Sequence, residues 1–110
     1  MNILDYKNVI EEAVKIENTA DTEWGWKLVA IGENKASIRW GYFDYLEDNR
    51  NIVVRIDEYQ DGDTGVLGFL PNGSEVFVLC GKNFWDDCET IEQGLQKVIH
   101  GIAKKAKHIY

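Results

Sequence analysis

This sequence lacks a disulfide framework, a membrane-length apolar run and a phosphate-binding glycine loop, and its central half has few basic residues. Its two cysteines, Cys80 and Cys88, are too few to staple a small secreted fold and read as reduced thiols. The uninterrupted apolar stretches are only a few residues long, far short of the roughly 20 that a membrane span requires. The start, Met1 to Lys7, has neither the basic nor the apolar region of a secretory leader, so the expected location is the cytoplasm. No repeat and no low-complexity tract interrupts the chain. Residues 40–92 carry twelve acids against three bases, residues 93–110 carry four lysines and no acid, and the net charge is −7. A field of that sign repels nucleic-acid phosphates and favours a basic partner, although acidity alone also serves solubility.

What is present is enough for one folded domain spanning 1–110. Hydrophobic residues make up 45% of the chain and charged residues 28%, with thirteen aromatics, four of them Trp, which excludes disorder. From Leu4 to Glu17, Tyr6, Val9, Ile10 and Ala13 recur at helical spacing, with Asn2 or Asp5 available as a cap. Asn18 to Asp21 breaks that pattern. The period then becomes two. Trp24, Trp26, Leu28 and Ala30 define one strand face, Ala36, Ile38, Trp40 and Tyr42 a second, and Ile52, Val54 and Ile56 a third. Gly32–Lys35, Leu46–Arg50 and Asp61–Gly65 are the connections. Val66–Leu70 and Ser74–Cys80 form a hairpin through Pro71-Asn72-Gly73, where proline fixes φ at the first corner and Asn-Gly suits a left-handed one.

The last helix has the clearest pattern: Ile91, Leu95, Val98, Ile102 and Ile109 form a stripe widened by Ile99 and Ala106. Thr90 with Gln93 has capping-box spacing, and Gly94 and Gly101 beside the stripe allow close approach to a sheet. Short links imply antiparallel neighbours. The predicted fold is therefore α+β: two layers, a five-stranded antiparallel sheet with the N- and C-terminal helices on one face. The other face is expected to show Arg39, Phe43, Arg55, Asp57, Tyr59 and Glu75, partly solvated.

Motifs that would carry chemistry fall short. Asp57 to Asp63 resembles a calcium loop, but Tyr59 holds position 3 and Gly68 holds position 12, where a bidentate Glu is required; a hairpin turn is the better reading. Cys80, Cys88, His100 and His108 lack the short Cys-x-x-Cys spacing of structural zinc sites. A Cys88–His100 nucleophilic pair would need thiolate activation, which Asp86, Asp87 and Glu89 oppose. No metal, cofactor or catalytic residue is assigned. The remaining signal is large rings mixed with carboxylates, in Trp40 to Asp48 and in Phe84-Trp85-Asp86-Asp87. Trp40 and Tyr42 belong inward by alternation, and Tyr45 and Trp85 are expected to be partly exposed.

In size, in helix–meander–helix layout, and in its acidic aromatic stretches Trp40–Asp48 and Phe84–Glu89, the chain resembles the small immunity proteins that bacteria pair with polymorphic or contact-dependent toxins. The resemblance implies a non-catalytic inhibitor that binds a basic toxin, often a nuclease, and blocks it sterically. Partner-binding candidates are Tyr45, Glu47, Asp48, Asp57, Tyr59, Asp61, Asp63, Trp85, Asp86 and Asp87. Two alternatives stay open: a phage anti-defence inhibitor of a nucleic-acid-binding complex, and a small enzyme or ligand-binding domain with a pocket between helices and sheet.

Overall fold

The structure, a computed structural model, describes residues 2–20, 24–42 and 51–109. A 3-10 turn over Ile3–Tyr6 leads into α1 (Lys7–Ala20); β1 (Trp24–Ile31), β2 (Lys35–Tyr42), β3 (Asn51–Glu58), β4 (Thr64–Phe69) and β5 (Glu75–Cys80) follow, then α2 (Ile91–Ile109). The strands lie in chain order in one antiparallel sheet, and both helices cover the same face. The predicted α+β architecture is the observed one.

Local chemistry explains each element and its departures from expectation. Asn2 caps the opening turn, its side-chain oxygen accepting from the Leu4 N–H at 2.9 Å, so Leu4 to Tyr6 winds as 3-10 before the α-helix begins. At the other end α1 continues past Glu17. Asn18 does not stop it, because its amide is engaged outside the helix, on the backbone of Trp26. The second departure is in β1. The register slips between Leu28 and Ala30, leaving Val29 as an extra residue that is exposed. Beyond this bulge Ala30 turns outward and Ile31 packs against the core, which reverses the alternation expected for Ala30.

The core lies between the helices and the inner sheet face. Trp24, Trp26 and Trp40 stack there with ring centroids 5.4–6.2 Å apart. Ile38, Ile52, Val54 and Val66 meet Ile10, Leu95, Val98 and Ile102 in the same fully buried cluster. Burying a side chain of this size stabilises by about 1.5–3 kcal/mol, so this cluster is the main source of stability. Close approach of α2 depends on two glycines facing across the interface. A methyl on Gly68 would meet Val98 Cγ1 at 2.8 Å, and one on Gly94 would strike Cys80 Sγ.

Hydrogen bonds from side chains and neighbouring backbone cover part of each sheet edge. On β1 the Asn18 amide accepts from the Trp26 N–H at 2.7 Å and donates to its carbonyl at 2.9 Å, imitating a neighbouring strand. On β5 the Leu79 N–H donates to Asp87 Oδ2, the Leu79 carbonyl accepts from the Asp87 N–H, and Gly81 N–H donates to the Cys88 carbonyl. Lys105 Nζ donates to the Glu75 carbonyl. Such capping discourages edge-to-edge pairing with another chain.

Candidate functional site

Two hairpin turns of one design flank β4. In the first, Tyr59 N–H donates to the Asp63 carbonyl, Gly62 N–H to the Tyr59 carbonyl, and Asp63 N–H to the Asp61 carboxylate. In the second, Leu70, Gly73, Ser74 and Asn72 repeat those three bonds. The left-handed position is filled by Gly62 (φ 90°) and Gly73 (φ 89°), and among the described residues no Asn or Asp takes that conformation. The first turn ends on Asp63, and that aspartate organises the neighbouring loop between β5 and α2.

Asp63 is 2% exposed, and its carboxylate accepts from Asn83 Nδ2 and from Trp85 Nε1, both at 2.9 Å. The loop is tied to itself as well: Asn83 N–H donates to Asp86 Oδ2 at 2.8 Å and Asp86 N–H to the Asn83 carbonyl at 3.0 Å. Gly81 sits against both acids, and a methyl there would collide with the carboxylates of Asp63 and Asp86. The Asp86 carboxyl is held above its ordinary pKa by desolvation, then by its hydrogen bond to Asp63 and the charges of Asp63 and Asp61, with the Asn83 N–H acting against the shift. The result is a hydrogen-bonded loop whose tip carries Phe84, 94% exposed, and Trp85, 52% exposed, in an edge-to-face pair with centroids 5.0 Å apart.

Carboxylates are frequent at this end of the molecule. Asp61, Asp63, Asp86, Asp87, Glu89 and Glu92 come from the turn, the loop and the first turn of α2, with Lys82 the single base in those segments. An open groove of about 510 Å³ runs between them, lined in part by Tyr6, Asp61, Lys82, Glu89 and Glu92. The field is felt by Tyr6, whose phenol is pushed up by burial, then by the charges of Glu92 and Asp5. At the base of the loop Cys80 and Cys88 are adjacent buried thiols. The Cys80 thiol is pushed up to about 12 by burial, then by Cys88 and the charges of Asp86 and Asp87, which suppresses its nucleophilicity.

The sequence candidates therefore divide. Asp61, Asp63, Trp85, Asp86 and Asp87 are brought together at this end of the molecule. Asp63 faces inward and holds the loop rather than solvent. Asp57 and Tyr59 lie on the open sheet face instead: Asp57 pairs with Arg55 at 3.0 Å, and the Tyr59 ring lies over Gly65. Tyr45, Glu47 and Asp48, like the Leu46–Arg50 connection and Phe43, lie outside the described residues. Phe84, Asn83, Glu89 and Glu92 were not among the candidates; the Gly81-x-Asn83-x-x-Asp86 spacing, with turn formers at both ends, was the available signal.

His100 is engaged elsewhere. Its Nδ1 lies 3.2 Å from both carboxylate oxygens of Glu17, joining α2 to α1. Cys88 lines the same open groove of about 620 Å³, but the side-chain partner of His100 is Glu17. No group of three or more His, Cys, Asp or Glu among the described residues is placed to hold a metal ion. No helix among them is long and apolar enough to cross a membrane. No protein-family model matches the chain, and no match was found among curated proteins or solved structures.

Proposed function

We propose that the protein is a non-catalytic inhibitor of the immunity type, acting in the bacterial cytoplasm by covering the basic surface of one toxin, most simply a nuclease. The observation that carries this reading is the hydrogen-bonded loop that exposes Phe84 and Trp85 at the same end of the molecule as the carboxylates of Asp61, Asp86, Asp87, Glu89 and Glu92. Preorganised rings supply buried area at small entropic cost, and surrounding carboxylates meet Arg and Lys and steer approach. Guanidinium groups also stack on indole faces, so the same loop suits a basic surface twice over.

The test is to capture the partner from the native host and co-express it in sensitive cells with or without this chain. Rescue of growth by the wild-type chain, lost when Phe84→Ala is combined with Asp61→Asn, Asp87→Asn and Glu89→Gln, supports the reading. A captured partner that is harmless to cells, or rescue unaffected by these four substitutions, contradicts it. Capture of a multi-subunit effector competed away by DNA or RNA points instead to the anti-defence class.

A further inference from the structure

Two buried thiols stand at the base of the Phe84–Trp85 loop and take no part in the surface its tip presents. Cys80 is the last residue of β5 and Cys88 lies just before α2, so the pair brackets Gly81 to Asp87. Backbone hydrogen bonds set the two side by side. Cys88 N–H donates to the Leu79 carbonyl at 3.2 Å, and the Cys88 carbonyl accepts from Gly81 N–H at 2.9 Å. That is the bonding of a parallel bridge between Cys80 and Cys88, with Cys88 held by the residues on either side of Cys80.

Residues paired in this way lie about 4.8 Å apart and send their side chains to the same side. Disulfides join Cα atoms about 4.4–6.8 Å apart, so the backbone spacing suits the bond. Both side chains are buried, Cys80 at 3% and Cys88 at 6% exposure. Gly94 of α2 leaves the space that Cys80 Sγ fills. The thiols already sense each other: after burial, the charge of Cys88 and its hydrogen bond are what raise the Cys80 thiol. Two cysteines in one chain, brought together by a bridge at the ends of one loop, are more than a pair of small apolar fillers.

We propose that Cys80 and Cys88 form a redox modification site, a dithiol that a small disulfide such as oxidised glutathione converts to an internal disulfide across the base of the loop. One cysteine thiolate attacks a sulfur of the oxidant and releases one thiol; the other cysteine attacks the mixed disulfide and releases the second. Two electrons pass from the chain to the oxidant, and the two thiol protons end on the released thiols. The new bond closes a short ring that contains Phe84 and Trp85, so the ends of the loop stay together even when its hydrogen bonds break. Burial and the carboxylates of Asp86 and Asp87 keep an anionic oxidant from the closed pair, so exchange waits for the chain to open. In a reducing compartment the pair rests as thiols, and it closes as the ratio of disulfide to thiol rises. The inference concerns the base of the loop and holds whether or not its tip binds a toxin.

Refolding of the full chain from urea into buffers of about 1 mM glutathione, over a range of oxidised-to-reduced ratios, tests it. Acid quenching, alkylation and mass spectrometry separate the dithiol, the internal disulfide (lighter by two hydrogens), glutathione adducts and covalent dimers. The folded chain is expected to hold the internal disulfide at a ratio at least about tenfold more reducing than the same chain kept in urea. Its oxidised form should also unfold at a higher urea concentration. Cys88→Ser should show neither the internal disulfide nor an oxidant-dependent rise in midpoint; should that variant fail to fold, the folded and urea-held wild-type chains carry the test alone. Equal ratios for the folded and the unfolded chain overturn the proposal. So do glutathione adducts or covalent dimers in place of the internal disulfide, or thiols that stay free at the most oxidising ratio.

Discussion

Asp63 is a buried carboxylate whose partners are all on one loop, so its contribution separates cleanly from core packing. Asp63→Ala would leave Asn83 Nδ2 and Trp85 Nε1 without their acceptor. It should cost about 1–3 kcal/mol in urea unfolding and release Trp85 into water, seen as a red-shifted emission. Asp86 makes a different, pH-dependent contribution. Its folded carboxyl pKa is raised, so the fold favours the protonated form. The stability this confers is fully present below the unfolded carboxyl pKa and is lost as pH rises through the folded value. Asp86→Asn should therefore flatten stability against pH across the carboxyl range; an unchanged slope would mean that neither desolvation nor the neighbouring acids perturb this carboxyl. The Cys80 thiol follows the same sign at alkaline pH, its favourable contribution fading as pH climbs from the ordinary thiol range toward about 12. At about pH 8 neither cysteine should react with a maleimide except at the rate of unfolding.

At the level of elements, α2 shows how far the sequence could be read. Thr90 Oγ1 accepts from Gln93 N–H at 3.2 Å, and Gln93 Oε1 accepts from the N–H groups of Thr90 and Glu89, the box expected from their spacing. Thr90→Ala should lower stability by about 1 kcal/mol by thermal or chemical denaturation. Gly94→Ala is the sharper case. Helix propensity alone would raise stability by about 1 kcal/mol, whereas the collision with Cys80 Sγ requires a net loss. A higher unfolding midpoint for Gly94→Ala would show that the helix does not sit so close. Helices, turns and the inner strand faces were legible because period and capping are local. The β1 bulge was not, since Val29, Ala30 and Ile31 are all apolar and only the partner strand decides which one turns outward. The acidic loop was half legible. Trp85 and the acids stood out, but the inward turn of Asp63 depends on Asn83 and Trp85, some twenty residues away.

For the whole molecule, the proposed function rests on polarity. Carboxylates of three separate segments lie at the end of the molecule that carries Phe84 and Trp85, while Lys104, Lys105 and Lys107 cluster near the far end of α2. Under the proposed function, that separation would draw a basic partner toward one end of the chain. Electrostatic steering of this kind acts mainly on association rate and fades with salt. The most direct measurement is the association rate of the captured partner with wild-type chain and with the Asp61→Asn, Asp87→Asn, Glu89→Gln variant, across a salt series. A rate for the wild type that falls steeply with salt, and a variant that starts slower and is flatter, is the predicted result. Identical rates and identical salt slopes for the two proteins would contradict the assignment of the acidic end as the binding surface.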